Sequence, residues 1–374
     1  MRIRPIIIYS ILTSILSGTY NLDTSAIQTS ADSSGTIKIG LLVQDNKSYA
    51  ARQGAELAVL QANQAGGSHG KHFQLISRSM EGAWGTGSKQ TVDFIFQENV
   101  CAIIGSHDGR NAHLVEQVST KARIVFLSAW AGDPTLAQAF VPLYFSCVPN
   151  NLQQADAFID EIYNKRKFIR VAAVSDKGYD SKLALESFLK RTRAAGKTDP
   201  IQFSYDAQAP DIKSILKQIE NADIQATVLF GSPAVSSQFI KGMKQSDMKQ
   251  TVIGSLLLNN EEELTPENVV NLENILIVSP INWLGEKALK FREEYKKQHG
   301  KLPGAVAAYS YDATCMLIEA VRIAGTDREE IQKKLAKMQF EGVTGTIQFD
   351  EKGKRTGTIQ LELLKNCIEG PVKR

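Results

Sequence analysis

Short apolar runs alternate with segments of helical periodicity along most of this chain. Ile37–Val43 reads as a strand, and Ala51, Ala55, Ala58 and Ala62 then fall at spacings of four, three and four. Such spacing puts one stripe of small residues on a helix, which the pattern predicts to lie close on a sheet. Phe73–Ser77, Cys101–Gly105 and Ile124–Leu127 read as further strands, and helices are expected over Thr91–Phe96 and Ala112–Lys121. The rhythm restarts with a helix through Leu152, Ala155, Ile159 and Ile162. Strands at Arg170–Val174, Ile201–Ser204, Ala226–Gly231, Val252–Gly254 and Ile275–Val278 alternate with helices from about Ser181, over Ile212–Ile219 and over Gln238–Lys244. Near-continuous apolar strands separated by helices predict parallel sheets covered on both faces. The expected class is therefore α/β, with two doubly wound units in tandem.

The C-terminal region departs from the repeat. Ala313, Met316, Leu317, Ala320 and Val321 mark an amphipathic helix, and Thr346–Asp350 and Gly357–Leu363 read as strands of a late hairpin joined by Glu351-Lys-Gly-Lys. A late helix followed by a hairpin suggests that the chain crosses between units more than once.

Composition narrows the class of function. A chain of 374 residues is comfortable for two domains. Its 43 basic and 40 acidic residues nearly balance, and no basic stripe interleaved with aromatics suggests nucleic-acid binding. At the N-terminus Arg2 and Arg4 precede a mostly apolar run, Ile6–Leu16, and then small and polar residues to Gly35. This is the layout of a secretory signal peptide, with cleavage expected near Ala26. The run is far short of the roughly 20 residues that span a bilayer. Cys101, Cys147, Cys315 and Cys367 form no CxxC motif; Cys101 and Cys315 sit in apolar contexts that suit buried free thiols.

Catalytic and cofactor signals fail on inspection. Gly82-Ala-Trp-Gly-Thr-Gly-Ser88-Lys89 inverts the Lys-Ser order of a phosphate loop, and reads as a Gly-rich turn with Ser88 as a candidate helix cap. Ser106-His107-Asp108 has the residue types of a triad, but neighbours in sequence cannot form its relay. No dinucleotide fingerprint follows the first strand. His69 and His72 lie in a Gly-rich stretch without a third ligand, so no metal and no cofactor is expected. What remains is position: in open parallel sheets ligands bind beyond the carboxyl ends of the strands. The candidates are Asp45 and Tyr49, then His107, Asp108, Gly109 and Arg110, then Ser128, Ala129 and Trp130, and in the second unit Tyr179 and Ser232. Residues 108–112 are expected to open a helix whose free N–H groups could hold an anionic group.

Several segments carry a resemblance. Ile37-Lys-Ile-Gly40, Gln53-Gly-Ala-Glu-Leu-Ala58 with Gly66-Gly67, Ala102-Ile-Ile-Gly105, Asp133-Pro-Thr-Leu136, Tyr311-Asp-Ala313 as the start of a helix, and Gly345-Thr-Ile-Gln-Phe-Asp350 with Gly353 occur in the order and spacing of one family. Over roughly residues 36–367 the chain resembles the leucine/isoleucine/valine-binding proteins, type I periplasmic binding proteins of ABC transporters. The resemblance implies two lobes joined by three hinge strands. Lobe 1 would comprise 36–149 and about 281–345, and lobe 2 would comprise 150–280 and about 346–367. It implies a monomeric, exported, non-enzymatic protein that captures a small polar ligand (an amino acid, amide or related carboxylate) and delivers it to a membrane permease. A ligand sensor for a receptor and, further off, an exported α/β hydrolase are the alternatives. The gripping loops differ from the family pattern: Asp108-Gly-Arg-Asn111 stands where consecutive Ser or Thr residues are usual, Trp130-Ala131 replaces an Ala-Thr pair, and Ser255-Leu256 stands near the usual acid. Asp108 could take an ammonium while Arg110 pairs a carboxylate, or the two could bond each other and serve a different ligand.

Overall fold

In a computed structural model the described residues are 35–137, 142–265, 268, 271–272, 275–279, 285–357, 359 and 361–363. The expected leader, its cleavage site and Cys367 lie outside them. Five strands, β1 (Thr36–Val43), β2 (His72–Ser79), β3 (Ala102–Ser106), β4 (Phe126–Ser128) and β5 (Tyr144–Ser146), form one sheet in the order β2-β1-β3-β4-β5. All its pairings are parallel. The middle strand β3 is buried along its whole length, as expected of a parallel sheet with helices on both faces. Helices α1 (Ala50–Gln64), α2 (Thr86–Phe96) and α3 (Gly109–Lys121) alternate with the first four strands.

The second half repeats the design. Strands β6 (Val171–Asp176), β7 (Ile201–Tyr205), β8 (Ala226–Phe230), β9 (Thr251–Gly254) and β10 (Leu276–Val278) are parallel. They alternate with α5 (Tyr179–Ala194), α6 (Ile212–Asn221) and α7 (Pro233–Gln245), after α4 (Asn151–Ile159) has led in through a π-helical turn, Asp160–Lys165. Asn150 opens α4 with a complete capping box: its side chain takes the Leu152 and Gln153 N–H groups, while Gln153 reaches back to its backbone.

The chain then returns to the first sheet. Helices α8 (Glu286–His299), α9 (Ala305–Ala324) and α10 (Arg328–Lys337) follow β10, and α1 packs mainly on α9. The helix that carries the alanine stripe touches β1 and β2, but its main partner is another helix, which the expectation did not include. The approach is so close that a Cβ on Gly54 would collide with the Ala307 carbonyl oxygen. Tyr311-Asp-Ala313 lies inside α9, which begins at Ala305. The late hairpin is also relocated. Strand β11 (Phe340–Gly342) pairs with β12 (Gly345–Ile347), and Phe349 meets Arg355 only in an isolated bridge. The last strand, β13 (Leu361–Leu363), joins the second sheet antiparallel to β10, giving the order β13-β10-β9-β8-β6-β7.

The connections after β5, β10 and β12 carry the chain between the halves, and the first and last are tied together. Ser146 N–H donates to the Gly353 carbonyl at 2.8 Å. The buried Arg355 guanidinium donates to the carbonyls of Cys147 (2.6 Å), Thr344 (2.7 Å) and Thr346 (3.1 Å). Beside it Asp312, fully buried in α9, accepts from the N–H groups of Val343 and Thr344 and from the Thr344 hydroxyl at 2.6–2.9 Å.

Candidate functional site

The carboxyl ends of the two parallel sheets border one cleft of about 970 Å³. From the first half, the turn after β1 contributes Gln44, Asp45, Lys47 and Ser48, and the loop after β2 contributes Met80 to Trp84. His107, Asp108, Arg110 and Asn111 follow β3, and Trp130 follows β4. From the second half come Asp176, Tyr179 and Asp180 after β6, Ser232 after β8, and Asn260, Glu262 and Glu263 after β9. A groove of similar volume between α1, α8 and α9, about 1020 Å³, lies away from the strand ends.

Local structure explains how these side chains are held. Asp45 folds over its own turn, accepting from the N–H groups of Lys47 and Ser48 at 2.8 Å. Asp108 is the N-cap of α3: one oxygen takes the Asn111 N–H at 2.8 Å and the other takes the Asn111 amide at 2.6 Å. Asp180 reaches from α5 to the same helix start and accepts the Gly109 N–H at 3.0 Å. Two of the N–H groups expected to greet an anionic ligand, those of Gly109 and Asn111, are therefore already engaged by the protein's own carboxylates. Asp108 and Arg110 do not pair. The Arg110 guanidinium carbon lies over Trp84, 4.2 Å from the ring centroid.

A second bond crosses the cleft beside the first. Tyr179 donates its hydroxyl to Asp133 Oδ2 at 2.9 Å. Burial would push the Asp133 carboxyl up, but bonds from His113, Thr135 and Tyr179 outweigh it and hold the group below its usual range. Asp180 behaves oppositely: burial, and then the neighbouring Asp108, push it up to about 7. Burial likewise raises Glu262 and Glu263. His107 is 2% exposed and stacks on Phe126. Burial holds its pKa below the usual imidazole range.

Of the residues expected at the site, Asp45, His107, Asp108, Arg110, Trp130, Tyr179 and Ser232 line the cleft. Gly109 lies beside it and offers only its N–H. Ser128 and Ala129 do not reach it, because β4 ends in the core: both are fully buried, and Ser128 Oγ accepts the Ala131 N–H. Tyr49 starts α1 and faces Lys301, whose ammonium is 3.1 Å from its ring centroid. Glu81, Trp84, Asp180, Glu262 and Glu263 also line the cleft and are not among the residues expected from sequence. Trp84 was hidden in a loop read as a turn, and the cap expected at Ser88 is instead Gly85, with φ of 96°. The Glu261-Glu-Glu263 run had only its charge to distinguish it, and charge runs usually face solvent.

Comparison with known proteins agrees with this architecture. A family model described as periplasmic binding protein matches residues 36–360. The branched-chain amino acid transporter substrate binding protein LivJ of Streptococcus pneumoniae, solved with isoleucine, superposes with a TM-score of 0.77 at 23% identity, over 88% of this chain and 97% of that one. The leucine binding protein LivK of Thermotoga maritima gives 0.75 at 19% identity, covering 88% and 96%. A solute binding protein of an ABC transporter from R. palustris, solved with benzoate, gives 0.75 at 20% identity, covering 88% and 93%. No curated protein matched the sequence. The two-lobed type I fold is common to these structures and this chain.

Proposed function

Because this chain belongs to the periplasmic binding protein family, we propose that it captures a small polar solute between its lobes and delivers it to the membrane permease of an ABC importer, without chemical turnover. Residues 36–149 with about 281–345 would form lobe 1, and 150–280 with about 346–367 lobe 2. The leader would direct export to the periplasm, where the protein acts as a monomer. The observation that carries the reading is the cleft itself: both sheets present polar strand-end loops to it, and bonds between the two halves already span it at Gly109–Asp180 and Tyr179–Asp133. Ligand contacts with both walls would favour the closed arrangement by differential affinity.

The same cleft supports binding over turnover. In Ser106-His107-Asp108 the His107 Nδ1 meets the Asp108 backbone carbonyl at 3.1 Å, not its carboxylate, and Nε2 has no partner among the described residues. The relay of a hydrolase is therefore not assembled there. Isoleucine and benzoate in the two related structures indicate that this fold houses ligands of unlike chemistry. The ligand of this chain has to be read from its own walls.

A thermal-shift screen against amino acids, amides, small carboxylates and amines tests the proposal. A true ligand at 100 times its Kd adds about 2.7 kcal/mol of stability. Small-angle scattering should show a compaction with that ligand. If no compound shifts the melting curve, the proposal fails. Unchanged affinity in Trp130→Ala and Asp108→Ala would move the site elsewhere.

A further inference from the structure

The cleft walls carry an unusual balance of charge. Asp45, Glu81 and Asp108 face it from the first half, and Asp176, Asp180, Glu262 and Glu263 from the second, against Lys47 and Arg110. Both cations are exposed, and Arg110 is held over Trp84, whereas Asp45, Asp108, Asp176, Asp180 and Glu262 are at least partly buried. Among the described residues none of these seven carboxylates is in a salt bridge; the cleft carboxylates are fixed by neutral donors such as Gly109 N–H, Gly178 N–H and Ala50 N–H. Apart from Glu262, which has Lys301 close enough to interact with it, they are positioned without a cation bonded to them.

We infer that the cleft, read as the solute site proposed above, takes a small organic cation, an amine or guanidinium that carries no carboxylate of its own. Two further features support this. A ligand carboxylate would need N–H groups at the start of α3, but two of the first three are taken, Gly109 N–H by Asp180 and Asn111 N–H by Asp108. It would also have to sit among like charges. Secondly, Trp130 and Tyr179 add aromatic surfaces to the wall, against which a cation can rest. No three His, Cys, Asp or Glu among the described residues converge as a metal site, so the charge is spread along the walls in a way that suits an extended organic cation. Burial and mutual repulsion, which raise Asp180, Glu262 and Glu263, are the cost that such a ligand would relieve.

Isothermal titration calorimetry of the mature protein decides the matter with probes sorted by charge: putrescine, agmatine and tyramine as cations, leucine as zwitterion, benzoate as anion and benzamide as neutral compound. The cations are expected to bind at least 100-fold more tightly than leucine or benzoate, with a Kd that rises as salt is added. Glu263→Gln, at an exposed position whose loss leaves folding intact by circular dichroism, and Asp176→Asn should each weaken the best cation by about 10-fold. Leucine, benzoate or benzamide binding more tightly than every cation overturns the cation assignment and leaves the solute-binding reading standing. Binding by none of the probes removes both. Cation binding indifferent to salt and to both variants also overturns the assignment, because the walls would then not be what recognises the charge.

Discussion

The hinge and the cleft both remove carboxylates from bulk water and burial raises both, but they differ in how fully each carboxylate is hydrogen-bonded. At the hinge, Asp312 is fully buried, accepts three hydrogen bonds and has the Arg355 guanidinium nearby. Arg355 in turn spends its donors on carbonyls of the first and last crossing segments. In the cleft, Asp108, Asp176, Asp180, Glu262 and Glu263 have neutral donors and no salt bridge among the described residues. Burial alone therefore does not separate a structural carboxylate from a ligand-facing one; the saturation of its partners does. Three consecutive glutamates make the same point at close range. Glu261 takes the N–H groups of Gly304, Val306 and Ala307 at the start of α9, while Glu262 and Glu263 line the cleft.

The largest effect expected from this contrast is at the hinge. Arg355→Ala leaves the carbonyls of Cys147, Thr344 and Thr346, the first two buried, without their donor and removes a cation from the vicinity of Asp312. Leaving a buried acceptor unsatisfied costs about 1–3 kcal/mol each, so a loss of about 2–5 kcal/mol is expected, which urea unfolding would measure. A loss below about 1 kcal/mol would show that the hinge network is not saturated. Asp312→Asn should cost less, because the carboxamide oxygen still accepts part of the network.

The cleft should respond with the opposite sign. Asp180 is raised to about 7 in the folded protein, against about 3.9 for an unfolded aspartate. Between those values the folded state binds more protons than the unfolded state, so this group makes stability fall as pH rises from about 4 to 7 and level off above. Glu261, also raised to about 7 by burial, adds a slope of the same sign. Asp180→Asn should therefore stabilise the unliganded protein at pH 8, by about 1–2 kcal/mol after solvent screening, with the gain vanishing towards pH 4. Melting temperatures of the two proteins across that range check it. A destabilised variant at pH 8 would mean that the Gly109–Asp180 bond outweighs the repulsion, and the cleft would then resemble the hinge.

Much of the architecture was legible because a parallel strand must be apolar on both faces. The strands from Ile37 to Val278 stand out as short apolar runs for that reason, and the sheet ends then point to the cleft loops. The three-residue strand β5 and the charged helices α8 and α10 carried no comparable signal: the first is too short for a period, and the others bury only a narrow stripe such as Ala288, Phe291 and Tyr295. The alanine stripe was legible as a close-packing face, but its partner was not. Nothing local says whether a small-residue face meets a sheet or a helix some 250 residues away. The acidic character of the cleft was hidden for the same reason. Asp45, Asp108, Asp180 and Glu262 are scattered in sequence, and each alone reads as a cap or a solvated charge. Only the juxtaposition of the two sheets makes them one electrostatic unit.

The smallest expected effect sharpens the comparison most. Tyr179→Phe removes a single hydroxyl bond to Asp133, which His113 and Thr135 continue to hold. The tyrosine is 41% exposed, so little packing is lost. The melting temperature should move little, since the bond contributes on the order of 1 kcal/mol. That bond exists only while the two walls face each other, so its loss falls on the balance between open and closed arrangements. A change of about 1 kcal/mol shifts that ratio roughly fivefold and weakens the apparent affinity of a ligand that requires closure by up to the same factor. The radius of gyration of the unliganded protein should rise, while its unfolding midpoint stays near that of the parent. The reverse outcome, a large loss of stability with no change in dimensions, would place Tyr179 with Arg355 among the groups that hold the fold and remove it from those that close the cleft.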